Sequence, residues 1–198
     1  GLWNDFGTAG RMIETPISEA AMVGACVGAA MMGLRPVVEI MFGEFLALVM
    51  QPLVCDAAGM YYSSMGQVRV PMVLRTKYGV GPHRGHEQDY HSWLVHIPGL
   101  KVVMPSTPYD AKGLMKSAIR DDNPVVFLEH MNLYHAYRQD IPDDEYTIPL
   151  GVADIKRPGK DVTVVATAMM VHHALEAAQE LSKKGVEVEV VDLRTVAP

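Results

Sequence analysis

Glu19 is the first residue whose type and placement could do chemistry. It follows Thr15-Pro16-Ile17-Ser18 and heads a run of small and apolar residues from Ala20 to Leu34. Thr15 can cap a helix, and Pro16 suits a first turn, where a missing N–H costs nothing. A first-turn glutamate is favoured by the helix dipole, and most such residues are solvated surface charges. Here the neighbours Ile17, Ala20, Ala21 and Met22 are apolar or small. A carboxyl enclosed by them could share or hold a proton. A second group comprises His83, His86 and His91, in a glycine-rich stretch that also carries Glu87 and Asp89. Three histidines without a cysteine make a weak zinc signal. They suit the polar mouth of a site on a loop, or a solvated surface loop. No Walker sequence, no Gly-x-Gly-x-x-Gly between strand and helix and no Gly-x-Ser-x-Gly elbow occurs.

The elements that must position these groups alternate. A helix opening at Thr15-Pro16, with Glu19 early in it and the small-residue run behind, places Gly24 and Gly28 on one face, where another backbone or a ligand could come close, and Gly33 supplies a stop. A strand follows over 37–42. The apolar stretch 44–62 has helical spacing at Phe45, Leu48, Val49, Leu53 and Ala57, with Pro52 expected to kink or restart it. Further strands are predicted over 68–76, 100–105 and 124–129, with a loop over 77–91, a helical turn over 92–96 and a helix over 108–120. Residues 131–160, with Pro142, Pro149 and Pro158, read as a connector. A βαβ unit follows, with strands over 162–167 and 186–193 around an amphipathic helix. This order predicts an α/β layer fold with a parallel sheet, whose ligands sit beyond the carboxyl ends of the strands.

The 198 residues are 49% hydrophobic and 20% charged, with a net charge of −6 and no basic cluster. Nucleic acid is therefore not an expected partner. No apolar run of about 18 residues stands out, and no membrane span or signal peptide is expected. Cys26 and Cys55 sit in apolar stretches and read as buried thiols of a cytoplasmic protein. The chain opens on Gly1, not Met, and stops just after a strand, as a piece of a longer chain would.

Several runs are similar to the beta subunit of thiamine-diphosphate-dependent 2-oxo acid dehydrogenases. They are Thr15-Pro16-Ile17-Ser18-Glu19, Val27-Gly28-Ala29-Ala30, Gly33-Leu34-Arg35-Pro36, 96–103, 105–114, 123–129 and 191–195, in collinear order. The resemblance implies a transketolase-like pyrimidine-binding domain over 1–130, its N-terminal part missing, the connector 131–160, and the start of a C-terminal transketolase-like domain over 161–198. It implies a heterotetramer with an alpha subunit that holds magnesium and the diphosphate, while beta holds the aminopyrimidine. Glu19 would hydrogen-bond the pyrimidine ring nitrogen, and Ile17, Met41 and Phe45 would line its pocket. His86, twelve residues before Pro98, would assist acyl transfer to a lipoyl-bearing acyltransferase. Met72, Ala118, Ile119, Asp121 and Asn123 match a structural potassium site of oxygen ligands. The implied substrate is pyruvate or a branched-chain 2-oxo acid. Acetoin cleavage is the nearest alternative, and a non-catalytic assembly subunit of the same fold is another. A transketolase-like activity on sugar phosphates is disfavoured, since the loop offers nothing basic beyond Lys77 and Arg84. The loop 78–86 departs from the family pattern at His83 and Arg84, and His91 and Pro52 are also unusual.

Overall fold

The computed structural model describes residues 1–81 and 85–198, so His83 and Arg84 lie outside the described residues. The chain opens with a short helix, α1 (Leu2–Phe6), none of whose residues is buried. The next helix, α2 (Glu19–Met31), begins with Ser18 as its cap residue, later than the Thr15-Pro16 signal predicts. Ser18 Oγ turns back to the Pro16 carbonyl (3.0 Å) and does not cap the helix. The far end follows the prediction. Gly33 takes φ +92°, its N–H bonds Ala30 O, and Leu34 N–H bonds Ala29 O. This is a Schellman stop, which needs the left-handed conformation that glycine adopts at no steric cost. Val23, Val27 and Ala30 form the buried stripe of α2. Gly24 and Gly28 lie on the exposed side, with nothing within 4 Å of a placed Cβ. Among the described residues no backbone makes the close approach expected there.

Strand β1 (Val37–Ile40) buries Val38 and Ile40 and exposes Val37 and Glu39, the alternation of an edge strand. A 3-10 turn (Gly43–Phe45) leads into α3 (Leu46–Gln51). Pro52 has no N–H and its ring crowds the preceding turn, so the helix widens to π geometry over Pro52–Ala58. The short α4 (Met60–Ser63) completes the run. This corrects the expectation that no apolar segment is long enough to span a bilayer: Gly43–Ser63 is, by length and composition. Its Leu46, Val49, Leu53, Ala57 and Ala58 nevertheless pack into the main core, as those of a core helix do. The thiols are also less buried than expected: Cys26 is half-buried and Cys55 exposed.

Strand β2 (Val73–Tyr78) starts later than predicted, beyond Pro71. The chain continues through α5 (His91–Val95), β3 (Lys101–Val103), α6 (Pro108–Arg120), β4 (Val125–His130) and α7 (Leu133–Ala136). Thr107 caps α6 by accepting the Asp110 N–H at 3.1 Å, with Pro108 in the first turn. In β4, Val125 to Leu128 are all buried, which places that strand inside the sheet. The second unit contains β5 (Asp154–Arg157), β6 (Val162–Ala166), α8 (Met169–Ser182), β7 (Val188–Asp192) and β8 (Thr195–Ala197).

The first sheet has the order β1-β2-β4-β3-β8 and the second β5-β7-β6. Strands β1, β2, β4 and β3 are parallel, as the alternation predicts. Two strands were not anticipated. β5 lies inside the stretch read as connector and pairs antiparallel with β7. β8 leaves the second unit and pairs antiparallel with β3, closing the edge of the first sheet.

Gly99, in the turn before β3, has φ +91°, and a Cβ there would overlap the Ala58 carbonyl of the π segment. Gly99→Ala is expected to lower unfolding stability by about 3 kcal/mol, from left-handed strain plus a backbone clash. Urea unfolding of the variant checks this; an unchanged midpoint would show that the turn can relax.

Candidate active site

The described site groups cluster at the carboxyl ends of β1 and β2, where ligands bind on open α/β sheets. Beyond β1 the chain stays extended at Phe42 (φ −136°, ψ 146°), then turns at buried Gly43. A Cβ on Gly43 would sit 3.1 Å from Tyr78 Cβ and 3.4 Å from the Lys77 carbonyl. Glycine therefore lets the turn lie against β2, and Phe42, Glu44 and Phe45 project beside the returning loop. That loop brings in His86 with φ +59°, a left-handed conformation that few residues other than glycine adopt.

His86 is held on several sides. Its Nδ1 lies 2.7 Å from Glu44 Oε2. Its ring stacks on Phe42 at 4.6 Å and meets Phe45 at 5.1 Å in a tilted, edge-on contact. Gln88 N–H donates to the other Glu44 oxygen at 3.4 Å, and Tyr90 Oη donates to Gln88 at 2.8 Å. Lys77 Nζ sits 4.4 Å from the centre of the Phe42 ring, a cation–π contact. The hydrogen bond from His86, helped by those from the 87–88 backbone, outweighs some desolvation and holds the Glu44 carboxyl below the usual glutamate range. At the end of β4, His130 meets Tyr78 edge-on at 5.3 Å, and burial lowers its pKa so that the neutral ring is favoured.

Glu19 and Met41 belong to the same end of the layer, because α2 and β1 are joined by a short connection and run antiparallel. The enclosure expected for Glu19 is not formed by the described residues of this chain. Glu19 is half-buried, Ala20 and Ala21 are exposed, and Ile17 is 90% exposed. Among the described residues no side chain pairs with the Glu19 carboxylate. Met41 is also exposed, so of the three expected wall residues only Phe45 packs inward. His91 is engaged locally, its Nδ1 2.6 Å from Asp89 Oδ2, at the start of α5. Among the described residues no cluster of histidine, cysteine and carboxylates suits a metal ion. Phe42, Glu44 and His130 do not stand out in the sequence, and Lys77 does so only as a basic residue of the loop. For Glu44 a usable signal existed: a carboxylate just past a strand end, behind a glycine.

The five potassium candidates gather at the opposite, amino end of the sheet. Met72 O accepts Val125 N–H (2.9 Å) and Ala118 O accepts Asp121 N–H (3.3 Å). Arg35 Nη1 donates to Ile119 O (3.1 Å) and Asp121 O (2.7 Å). Asn123 N–H and Nδ2 each reach Asp121 Oδ1 at 2.8 Å, and Lys101 Nζ lies 2.8 Å from Asp121 Oδ2. The donors are oxygens with a lone pair to spare, which suits a hard cation. Arg35 and Lys101 already bring positive charge to them.

Residues 1–136 match the family described as "Transketolase, pyrimidine binding domain", and residues 151–198 match "Transketolase, C-terminal domain". The chain belongs to the transketolase pyrimidine-binding family. Relatives align along its whole length. It is 44% identical to the 2-oxoisovalerate dehydrogenase subunit beta of Bacillus subtilis (strain 168), over 100% of this chain and 61% of that protein. It is 48% identical to the pyruvate dehydrogenase E1 component subunit beta of the same organism, with the same coverage. It is also 48% identical to the acetoin:2,6-dichlorophenolindophenol oxidoreductase subunit beta of Cupriavidus necator, over 100% of this chain and 58% of that protein. The chain thus spans about three-fifths of the length of these relatives. A solved structure titled "Split gene transketolase, inactive beta4 tetramer" superposes with a TM-score of 0.79 at 22% identity, covering 98% of this chain and 61% of that one. That likeness bears on the fold, a transketolase-like α/β arrangement.

Proposed function

We propose that this chain is part of the beta subunit of a 2-oxo acid dehydrogenase. The reaction would convert a 2-oxo acid, a proton and a lipoyl disulfide into carbon dioxide and an acyl-dihydrolipoyl thioester. The acyl carbon is oxidised, the S–S bond is reduced, and the second sulfur takes up a proton. The observation that carries the reading is collinear identity of 44–48% along the whole chain to subunits so named. The equally similar acetoin oxidoreductase subunit supports acetoin cleavage as a second reading.

Thiamine diphosphate, when bound, would supply the carbanion centre and electron sink. In this chain the Glu19 carboxylate, unpaired among the described residues, fits a ring nitrogen that must share a proton, and Phe45 fits a flat aromatic ring. The exposure of Ile17 and Met41 suits a pocket completed by another chain. That chain would be an alpha subunit holding the diphosphate and magnesium. A lipoyl-bearing acyltransferase as acyl acceptor, potassium at the carbonyl cluster and a cytoplasmic location belong to the same proposal. So does a division into a pyrimidine-binding domain over 1–130 and a C-terminal domain over 161–198, with β5 added to the latter.

A substrate panel on the complete beta chain co-assembled with its alpha partner tests the proposal. Thiamine-diphosphate-dependent release of carbon dioxide from a 2-oxo acid supports it; turnover of acetoin alone moves the assignment to the second reading. In the same assembly, His86→Ala should slow lipoyl acylation by about 100-fold, as loss of a proton-transfer group does. Decarboxylation with an artificial electron acceptor should be largely kept. Equal losses in both assays would remove His86 from acyl transfer.

A further inference from the structure

His86 is a histidine whose orientation something must fix, and the chain supplies a carboxylate for the purpose. We propose that Glu44 is a positioning residue that fixes the tautomer of His86, placing the ring proton on Nδ1 and leaving Nε2 as the working nitrogen. The assignment rests on the reading of His86 given above and adds to it a residue that no sequence motif marked.

The geometry is specific. Glu44 Oε2 lies 2.7 Å from Nδ1. The carboxylate is itself oriented by the Gln88 N–H on its other oxygen. Phe42 covers one face of the imidazole and Phe45 meets it edge-on, which sets the plane of the ring, and turning the ring over within that plane would put Cδ2 where Nδ1 meets Glu44 and lose the hydrogen bond. An ionised carboxylate can only accept, so Nδ1 must carry the proton in this arrangement. The depressed pKa of Glu44 agrees with a carboxylate that stays ionised. When the ring is neutral, Nε2 presents a lone pair. When it is charged, Nε2–H can donate to the sulfur released as the S–S bond opens, with Glu44 balancing the charge on the ring. Lys77 is near the cluster but is directed at the Phe42 ring.

The test uses Glu44→Gln in the complete beta chain co-assembled with its alpha partner. Glutamine has the same shape but can also donate, so it no longer selects the tautomer. The expected result is a fall in kcat for lipoyl-domain acylation of about 10- to 100-fold, less than the loss of the proton-transfer group itself. KM for the lipoyl domain and decarboxylation with an artificial acceptor should be unchanged, and Glu44→Asp should recover part of the lost rate. A second readout needs no activity. Diethyl pyrocarbonate attacks an unprotonated imidazole nitrogen, so at alkaline pH, where the ring is neutral with either side chain, His86 in the cofactor-free assembly should be carbethoxylated several-fold more slowly in Glu44→Gln than in the wild type. Unchanged kcat together with unchanged carbethoxylation would overturn the assignment, as would a parallel fall in kcat and decarboxylation. Slowed carbethoxylation in an assembly that turns over no 2-oxo acid would keep Glu44 in this role and remove the dehydrogenase reading instead. If Glu44→Gln fails to assemble, Glu44→Asp decides by the same two measurements.

Discussion

Glu19→Gln in the assembled enzyme should lower 2-oxo acid decarboxylation by about 10²- to 10⁴-fold, the range that a positioned proton-transfer group contributes. The substitution keeps the shape of the side chain and removes its ability to exchange a proton. Among the described residues nothing pairs with this carboxylate, so its loss orphans no donor there. The structural cost is confined to a weaker interaction with the positive end of α2, about 0.3–1 kcal/mol. Assembly should therefore survive. Size-exclusion chromatography and carbon dioxide release, measured on the same preparation, separate the two effects. Turnover at the wild-type rate would refute the role of Glu19, whatever the fate of the complex.

The second large effect is expected where the two units meet. Asp110, at the start of α6, is 1% exposed. It pairs with Lys156 Nζ of β5 at 2.6 Å and with Arg194 Nη1, just before β8, at 3.2 Å. Asp192 of β7 is fully buried and accepts from Ser106 Oγ at 2.5 Å. Asp110→Ala would remove the buried carboxylate that Lys156 and Arg194 share, but Lys156 keeps Asp154 at 2.8 Å and Arg194 keeps the Val152 carbonyl at 2.9 Å, so the cost is expected at the low end of the about 3–5 kcal/mol of a broken buried pair. For a chain of this size that corresponds to roughly 10 °C in melting temperature. The pH dependence follows from opposite shifts. Burial pushes the Asp110 carboxyl up, but Lys156, Thr107 and Arg194 outweigh it and hold it below the aspartate range. Its stabilisation is present above the unfolded value and is lost as pH falls through the lower folded value. Burial dominates at Asp192 and raises its pKa, so that group favours the folded state as pH falls and offsets part of the loss. The gap in melting temperature between wild type and Asp110→Ala should therefore shrink on acidification. A gap that is constant with pH would show that Asp110 contributes by packing alone.

Where local chemistry decides the structure, the sequence was readable. The strand expected over 124–129 forms as β4, Pro108 opens α6, and Gly33 ends α2. Pro52 announces a break in its helix, although not that the break would be a widening. Errors arose where a distant partner decides. β8 is three residues long and exists because β3 offers an open edge. β5 is charged and lies among prolines, so no alternation exposes it. Glu19 and His86 stood out as chemical types, but Glu44 is 42 positions from the histidine it holds, a relation that only the fold reveals. The pocket around Glu19 is missing for a related reason: Ile17 and Met41 have nothing opposite them among the described residues.

The return of β8 to the first sheet has a practical consequence. Cutting the polypeptide at residue 136, the limit of the pyrimidine-binding match, would strip β3 of its outer neighbour. The bare backbone donors and acceptors of that strand would then invite pairing with other chains and precipitation. Order along the polypeptide is thus a poor guide to where this protein can be divided.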